Sequence, residues 1–151
     1  MADRDHGLEL FDLLRTMALP TDDYAVFGSG PLLVRGILES VGDLDVIYRG
    51  PAWRRARQLG TLIDVDGEGT QIVSTHDGAI TLGATWGYGS FDLAHLIDTA
   101  EIISGLPFVC IEHVIEYKRL AGRPKDLAHL ALIDRHCKES TDPAKAGTSR
   151  T

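Results

Sequence analysis

Two aspartates separated by one residue, Asp43 and Asp45, lie in an apolar run that is typical of a buried strand. Side chains alternate between the two faces of a strand, so residues two apart point the same way. Both carboxylates are therefore expected on one face, with Leu44 and Val46 on the other. Two aligned anions repel each other unless a cation lies between them, and a divalent metal that prefers oxygen ligands meets this need. The spacing predicts a metal site.

A glycine-rich turn, Gly28, Ser29 and Gly30, follows a short apolar strand over 24–27 and precedes an amphipathic helix. Glycine lets the backbone approach a ligand closely, and the helix would direct its N-terminal amides at that ligand. The residues expected to face inward from this helix are Leu32, Leu33, Ile37 and Leu38. Phosphate-binding amides beside a carboxylate pair indicate a nucleoside-triphosphate site.

A third acidic residue, Asp92, lies between Phe91 and Leu93 in a segment that we interpret as a buried strand. A carboxylate inside an apolar strand needs a partner or a metal, because burial of an unpaired charge is costly. Asp92 is a candidate third metal ligand, and a salt-bridged strand carboxylate is the alternative.

The remaining pattern predicts the elements that must position these residues. A helix is expected over 5–18, β-hairpins over 61–93, and a hairpin over 100–110 with a two-residue turn at Ser104-Gly105. Two C-terminal helices follow, one over 111–121 and one from Lys125, separated by Gly122 and Pro124. Asp66-Gly67 and Asp77-Gly78 are turn signals.

The composition limits the class of protein. With 151 residues and 44% hydrophobic residues, the chain suits one domain, assigned to 1–139, followed by a disordered tail over 140–151. The net charge of -7 argues against general nucleic-acid binding. Cys110 and Cys137 are expected to be free thiols. Without an apolar leader or membrane span, we expect a soluble cytoplasmic protein.

Other charged side chains have alternative interpretations. Arg54, Arg55 and Arg57 form a basic helix face that is either solvated or in contact with an anionic ligand. The histidines at 95, 113, 129 and 136 lack the spacing of a metal motif, so core or surface positions explain them better.

Three segments together resemble the nucleotidyltransferase superfamily, which has the DNA polymerase β fold. They are the Gly28-Ser29 turn, the GDLDV strand, and the tail from Phe91 to Ile133 with its KRLAGRPKDLAHL pattern. The similarity is to small bacterial members, among them minimal nucleotidyltransferases and toxin–antitoxin or phage-defence proteins. It implies an α+β fold, with a mixed sheet flanked by helices and a C-terminal helix-turn-helix pair.

The resemblance also implies roles for individual residues. Gly28, Ser29 and Gly30 would hold the phosphates, and Asp43, Asp45 and Asp92 would bind two Mg²⁺ ions, or Mn²⁺ in their place. Asp92 would also help to deprotonate the attacking hydroxyl. Lys118 and Lys125 match basic positions that face either phosphate or a helix-terminal carboxylate.

Two functions fit this resemblance. In the first, an enzyme moves a nucleoside monophosphate from a nucleoside triphosphate, with ATP as the first choice, to the hydroxyl of a small molecule, a protein or a tRNA, and pyrophosphate leaves. In the second, a catalytically degenerate member of the fold acts as an antitoxin-like partner or a nucleotide sensor. A homodimer or a partner protein is compatible with both.

Overall fold

A computed structural model describes residues 2–64, 71–83 and 92–141, with side chains over 8–64, 71–83 and 92–138. Within these ranges the chain forms a seven-stranded sheet and six α-helices. The strands are β1 (Tyr24–Phe27), β2 (Leu44–Tyr48), β3 (Thr61–Asp64), β4 (Gln71–Thr75), β5 (Ile80–Gly83), β6 (Glu101–Ile103) and β7 (Leu106–Phe108). The helices are α1 (Ala2–Thr16), α2 (Gly30–Val34), α3 (Pro51–Leu59), α4 (Leu93–Asp98), α5 (Ile111–Ala121) and α6 (Pro124–Thr141).

The sheet is mixed, with strand order β3-β4-β5-β2-β1-β7-β6. Strand β2 pairs antiparallel with β1 and parallel with β5, while β1 also pairs parallel with β7. Strands β3, β4 and β5 form the expected antiparallel hairpins. The α+β class with a mixed sheet is therefore confirmed.

Hydrophobic cores cover both faces of the sheet. On one face, α1 and α3 pack against side chains that include Val26, Leu44 and Val46, all fully buried. On the other face, α4, α5 and α6 pack against side chains that include Phe27 and Ile47. Alternation along β1 and β2 thus sends successive residues into different cores.

Two predicted connections are confirmed by their backbone geometry. Ser104 and Gly105 have φ values of 53° and 83°, which suit the two central residues of the tight turn between β6 and β7. Gly122 ends α5 in the left-handed conformation with φ 59°, and its amide donates to the Lys118 carbonyl. Pro124 then occupies the first position of α6, where its missing N–H costs nothing.

Other predictions need correction or fall outside the described residues. Helix α2 ends at Val34, so Ile37 and Leu38 lie beyond it, although both pack partly buried against the core. Helix α6 continues to Thr141, past the predicted start of the tail at residue 140. The turn at Asp66 and the tail beyond Thr141 lie outside the described residues. In the described part of the chain, no helix is long and apolar enough to cross a membrane.

Candidate functional site

A cavity of about 230 Å³ lies where the turn after β1, the beginning of β2 and the helix α6 meet. Its lining residues are Ser29, Leu38, Ser40, Val41, Gly42, Asp43, Asp45, Lys125 and His129. Four of the candidate site residues predicted from the sequence therefore line the same cavity: Ser29, Asp43, Asp45 and Lys125.

The two carboxylates lie as the alternation predicts. Asp43 directly precedes β2 and Asp45 is its second residue, while Leu44 and Val46 are fully buried on the opposite face. Burial first and the negative charge of Asp43 second raise the pKa of Asp45 to about 6, against the opposing charges of Lys125, Arg123 and Lys118. Two neighbouring carboxylates, one of them largely desolvated, favour a cation bound between them.

The Gly28 backbone lies directly against Asp45. Gly28 has φ +67°, and a Cβ built there would lie 2.9 Å from Oδ2 of Asp45. Only glycine fits this position without moving the carboxylate or straining the backbone. A Cβ at Gly30 would lie 2.5 Å from Cγ1 of Val26, so the lack of a side chain at this position serves packing beneath the turn.

Ser29 occupies the N-cap position of α2, but its side chain makes no capping hydrogen bond. Its Oγ instead accepts from Nζ of Lys118 at 3.2 Å. Nζ of Lys118 also lies 3.0 Å from Nδ1 of His129 and 3.6 Å from Oδ1 of Asp126. Burial lowers the pKa of Lys118, whereas the charge of Asp126 opposes that change. Lys118 thus connects the glycine turn with α6.

Asp126 explains much of the GRPKD pattern. Its carboxylate is fully buried and accepts from the Arg123 backbone amide at 3.1 Å and from Nε of Arg123 at 2.6 Å. Burial alone would raise the pKa of Asp126, but these hydrogen bonds and the charges of Arg123 and Lys118 hold it below its usual value. The motif therefore fixes the corner between α5 and α6 and places Lys125 at the cavity.

His129 and Asp126 are site residues that the sequence prediction missed. His129 is four residues after Lys125, so both lie on one side of α6. That spacing, together with the motif, is the signal that could have identified His129. No comparable sequence signal links Asp126 to Lys118, because the two residues lie on different helices.

The prediction that Asp92 lies in a strand is wrong. Asp92 is the exposed N-cap of α4, and its Oδ1 accepts from the His95 amide at 3.2 Å. The sequence DLAHLID fits a helix, because Leu93, Leu96 and Ile97 recur at helical spacing and the preceding Asp92 caps the helix N-terminus.

Helix α4 is hydrogen-bonded to the residue that follows β2. Arg49, the residue after β2, donates to Oδ1 of Asp98 at 2.7 Å and to the Ala94 carbonyl at 3.4 Å. Arg49 is four positions after Asp45, a rise of roughly 13 Å along an extended chain. Asp92 is not among the residues that line the cavity.

The neighbouring strands do not provide a replacement carboxylate. Asp45 is paired in register with Phe27 of β1 and Thr81 of β5. Among the described residues, no group of three or more His, Cys, Asp or Glu side chains could hold a metal ion. The described residues thus provide a two-carboxylate site.

The arginine-rich helix lies away from the cavity. Ala52 and Ala56 bury α3 in the core on the face of the sheet opposite Asp45. Arg55 donates through Nε to the Met17 carbonyl at 3.2 Å, which secures α3 to the end of α1. These contacts favour a structural and solvent-exposed role for the cluster over contact with a ligand in this cavity.

Neither a protein-family model, nor a curated protein, nor a solved structure matches the chain. Functional inference therefore depends on the site itself.

Proposed function

We propose that the cavity binds the divalent-metal complex of a nucleoside triphosphate. The observation that carries this proposal is the convergence of unlike groups on one small cavity. Asp43 and Asp45 supply carboxylate oxygens, whereas Lys125 and His129 supply nitrogen groups on the facing helix. A metal–polyphosphate complex carries both kinds of complementary charge, because the metal is cationic and the phosphate oxygens are anionic.

The residues fit one Mg²⁺ ion. In nucleotide sites Mg²⁺ is commonly held by one or two carboxylates, with substrate phosphates and water completing the octahedron. Asp43 and Asp45 would be these carboxylates. A bound Mg²⁺ would neutralise negative charge on the phosphates and polarise their oxygens. The described residues that line the cavity include no further carboxylate for the second ion that the resemblance implies.

The size of the cavity indicates which part of the ligand it encloses. Pockets that bury a drug-sized ligand usually have volumes of about 300–1,000 Å³. The volume here is about 230 Å³. We infer that the cavity encloses the metal and the phosphates while the nucleoside extends outside it, so the base contributes little to binding.

Nucleotidyl transfer is the second candidate function. It is favoured by the order of the glycine turn and the carboxylate strand and by their proximity at Gly28 and Asp45. In this reaction an acceptor hydroxyl attacks the α-phosphorus and loses its proton to solvent, the bond from the α-phosphorus to the bridging oxygen breaks, and pyrophosphate leaves. The absence of a third carboxylate among the described residues favours binding without transfer, as in a nucleotide sensor or antitoxin-like partner.

Isothermal titration calorimetry with ATP tests the binding proposal. We expect wild type to bind ATP in Mg²⁺ and to lose that binding in EDTA, and we expect Asp43→Asn to bind at least about tenfold more weakly. Asp92→Asn is the matched control, because asparagine retains the N-cap of α4. Metal-independent binding, or equal loss in the two variants, would contradict the proposal.

Incubation with α-labelled nucleoside triphosphates and a cell extract tests transfer separately. Label on an acceptor, accompanied by release of pyrophosphate, would establish the second candidate. Binding without transferred label would assign the chain to the non-catalytic alternative.

A further inference from the structure

His129 lines the cavity and directs one ring nitrogen at a buried cation. Its Nδ1 lies 3.0 Å from Nζ of Lys118 and 3.4 Å from Oγ of Ser29. An ammonium group has three N–H donors and no acceptor. Lys118 therefore donates to Nδ1, which must be unprotonated, so the proton of the neutral ring lies on Nε2.

The neutral state of the ring follows from its surroundings. Burial lowers the pKa of His129, and the positive charge of Lys118 lowers it further. With Ser29, His129 and Asp126 around it, the Lys118 ammonium has a partner for each of its three N–H groups. The Lys118 side chain is also only 2% exposed. Lys118 is thus committed to protein groups and is poorly placed to bind a ligand directly.

Three side chains that line the cavity have hydrogen-bond donors that can point toward a ligand. Ser29 accepts through Oγ, and its hydroxyl hydrogen can rotate either to Nδ1 of His129, 3.4 Å away, or toward a ligand in the cavity. Nε2 of His129 makes no hydrogen bond with any residue that the structure describes. The Lys125 side chain lines the same cavity from α6. Ser29, His129 and Lys125 together provide three donors beside the two carboxylates.

We propose that His129 is a polyphosphate-binding residue that donates its Nε2–H to a phosphate oxygen, and that Lys118 is the positioning residue that holds this tautomer. The inference rests on the proposed function, since it concerns the phosphates of the same ligand. His129, which lacks the spacing of a metal-ligand motif, thus contacts the ligand directly, whereas the buried Lys118 acts only through His129.

Two variants of His129 separate binding from support of the fold. Asparagine places a carbonyl oxygen near the Nδ1 position, so it can still accept from Lys118, but it has no group at the Nε2 position. Glutamine is longer and carries an N–H toward the Nε2 position. We therefore expect His129→Asn to remain folded and lose phosphate binding, and His129→Gln to retain that binding.

Calorimetry of the full chain with inorganic tripolyphosphate and Mg²⁺ measures this difference. A charge-assisted hydrogen bond predicts about tenfold weaker binding for His129→Asn, with His129→Gln within about threefold of wild type. Equal affinities in wild type and His129→Asn, or equal loss in both variants, would overturn the assignment. Tripolyphosphate binding without ATP binding would refute the proposed function alone. ATP binding without tripolyphosphate binding would refute the role of His129 alone, and failure of wild type to bind either would refute both.

Long-range ¹H–¹⁵N NMR of the histidine ring provides a readout that requires no ligand. Wild type should show the Nε2–H tautomer of His129, and Lys118→Met should give a mixture of tautomers. A ring protonated at Nδ1, or a charged ring at neutral pH, in wild type would overturn the role of Lys118 even if the Lys118 variant fails to fold.

Discussion

Replacement of Asp45 by asparagine should stabilise the metal-free protein at neutral pH. The folded environment raises the pKa of this carboxyl from 3.8 to about 6, through burial first and the charge of Asp43 second. A shift of one pKa unit corresponds to about 1.4 kcal/mol, so ionised Asp45 destabilises the folded state by about 3 kcal/mol. Asp45→Asn keeps the shape of the side chain and removes the charge.

The sign of the effect sets its pH window. Because the folded pKa exceeds the unfolded value, the folded state binds this proton more tightly than the unfolded state. The contribution of Asp45 to stability is fully present below pH 3.8 and is lost as the pH rises through about 6. The advantage of Asp45→Asn should therefore be largest above pH 7 and small near pH 4.

Urea denaturation in EDTA at pH 5 and pH 7.5 measures this difference. Glu116→Gln, which removes an exposed carboxylate from α5, is the control and should change the free energy of unfolding by less than about 0.5 kcal/mol. Saturating Mg²⁺ and ATP should reverse the order at pH 7.5, because only wild type then gains ligand stabilisation. An Asp45→Asn protein less stable than wild type at pH 7.5 without metal would refute the electrostatic reasoning.

Three other substitutions test separate parts of the structure. Gly28→Ala should lose about 1–2 kcal/mol of stability in thermal unfolding, because φ at residue 28 is +67° and the new Cβ would meet the Asp45 carboxylate. Its Mg²⁺-dependent ATP binding should also weaken. Unchanged stability would contradict the turn geometry. Asp126→Ala should lower the free energy of unfolding in urea by about 3–5 kcal/mol, because it leaves the buried Lys118 cation without its carboxylate. A loss below about 1 kcal/mol would contradict that pairing. Asp92→Ala should lower the free energy of unfolding by about 1 kcal/mol, because the N-cap of α4 is lost. Its affinity for ATP, measured by calorimetry, should equal that of wild type. A loss of affinity would indicate that Asp92 contributes to the site.

The part of the fold around the carboxylate pair could be predicted because its signals are local. The strand alternation of Asp43, Leu44 and Asp45 and the stop signals at Gly122 and Pro124 each involve neighbouring residues. Local sequence limits the conformations of such segments strongly, so the elements and the facing of the carboxylates follow from it.

The remainder of the site depends on contacts between distant residues. Ser29 and Lys118 are separated by 89 positions, and Ser29 and His129 by 100. Packing of α5 and α6 against the sheet creates both contacts, and no local pattern encodes that packing. The strand predicted at Asp92 is wrong for another reason. A short apolar run fits strand and helix periods alike, and only its capping pattern distinguishes them.

Paramagnetic broadening by Mn²⁺–ATP in ¹H–¹⁵N NMR spectra tests the location of the metal site most directly. In the proposed site, Asp43 and Asp45 bind the metal of a nucleotide complex beside the turn at Gly28. We predict that substoichiometric Mn²⁺ with ATP broadens the amide signals of Gly28, Ser29 and Gly42 first and leaves those of α4 sharp. Broadening centred on α4, or none at any of these amides, would contradict the claim.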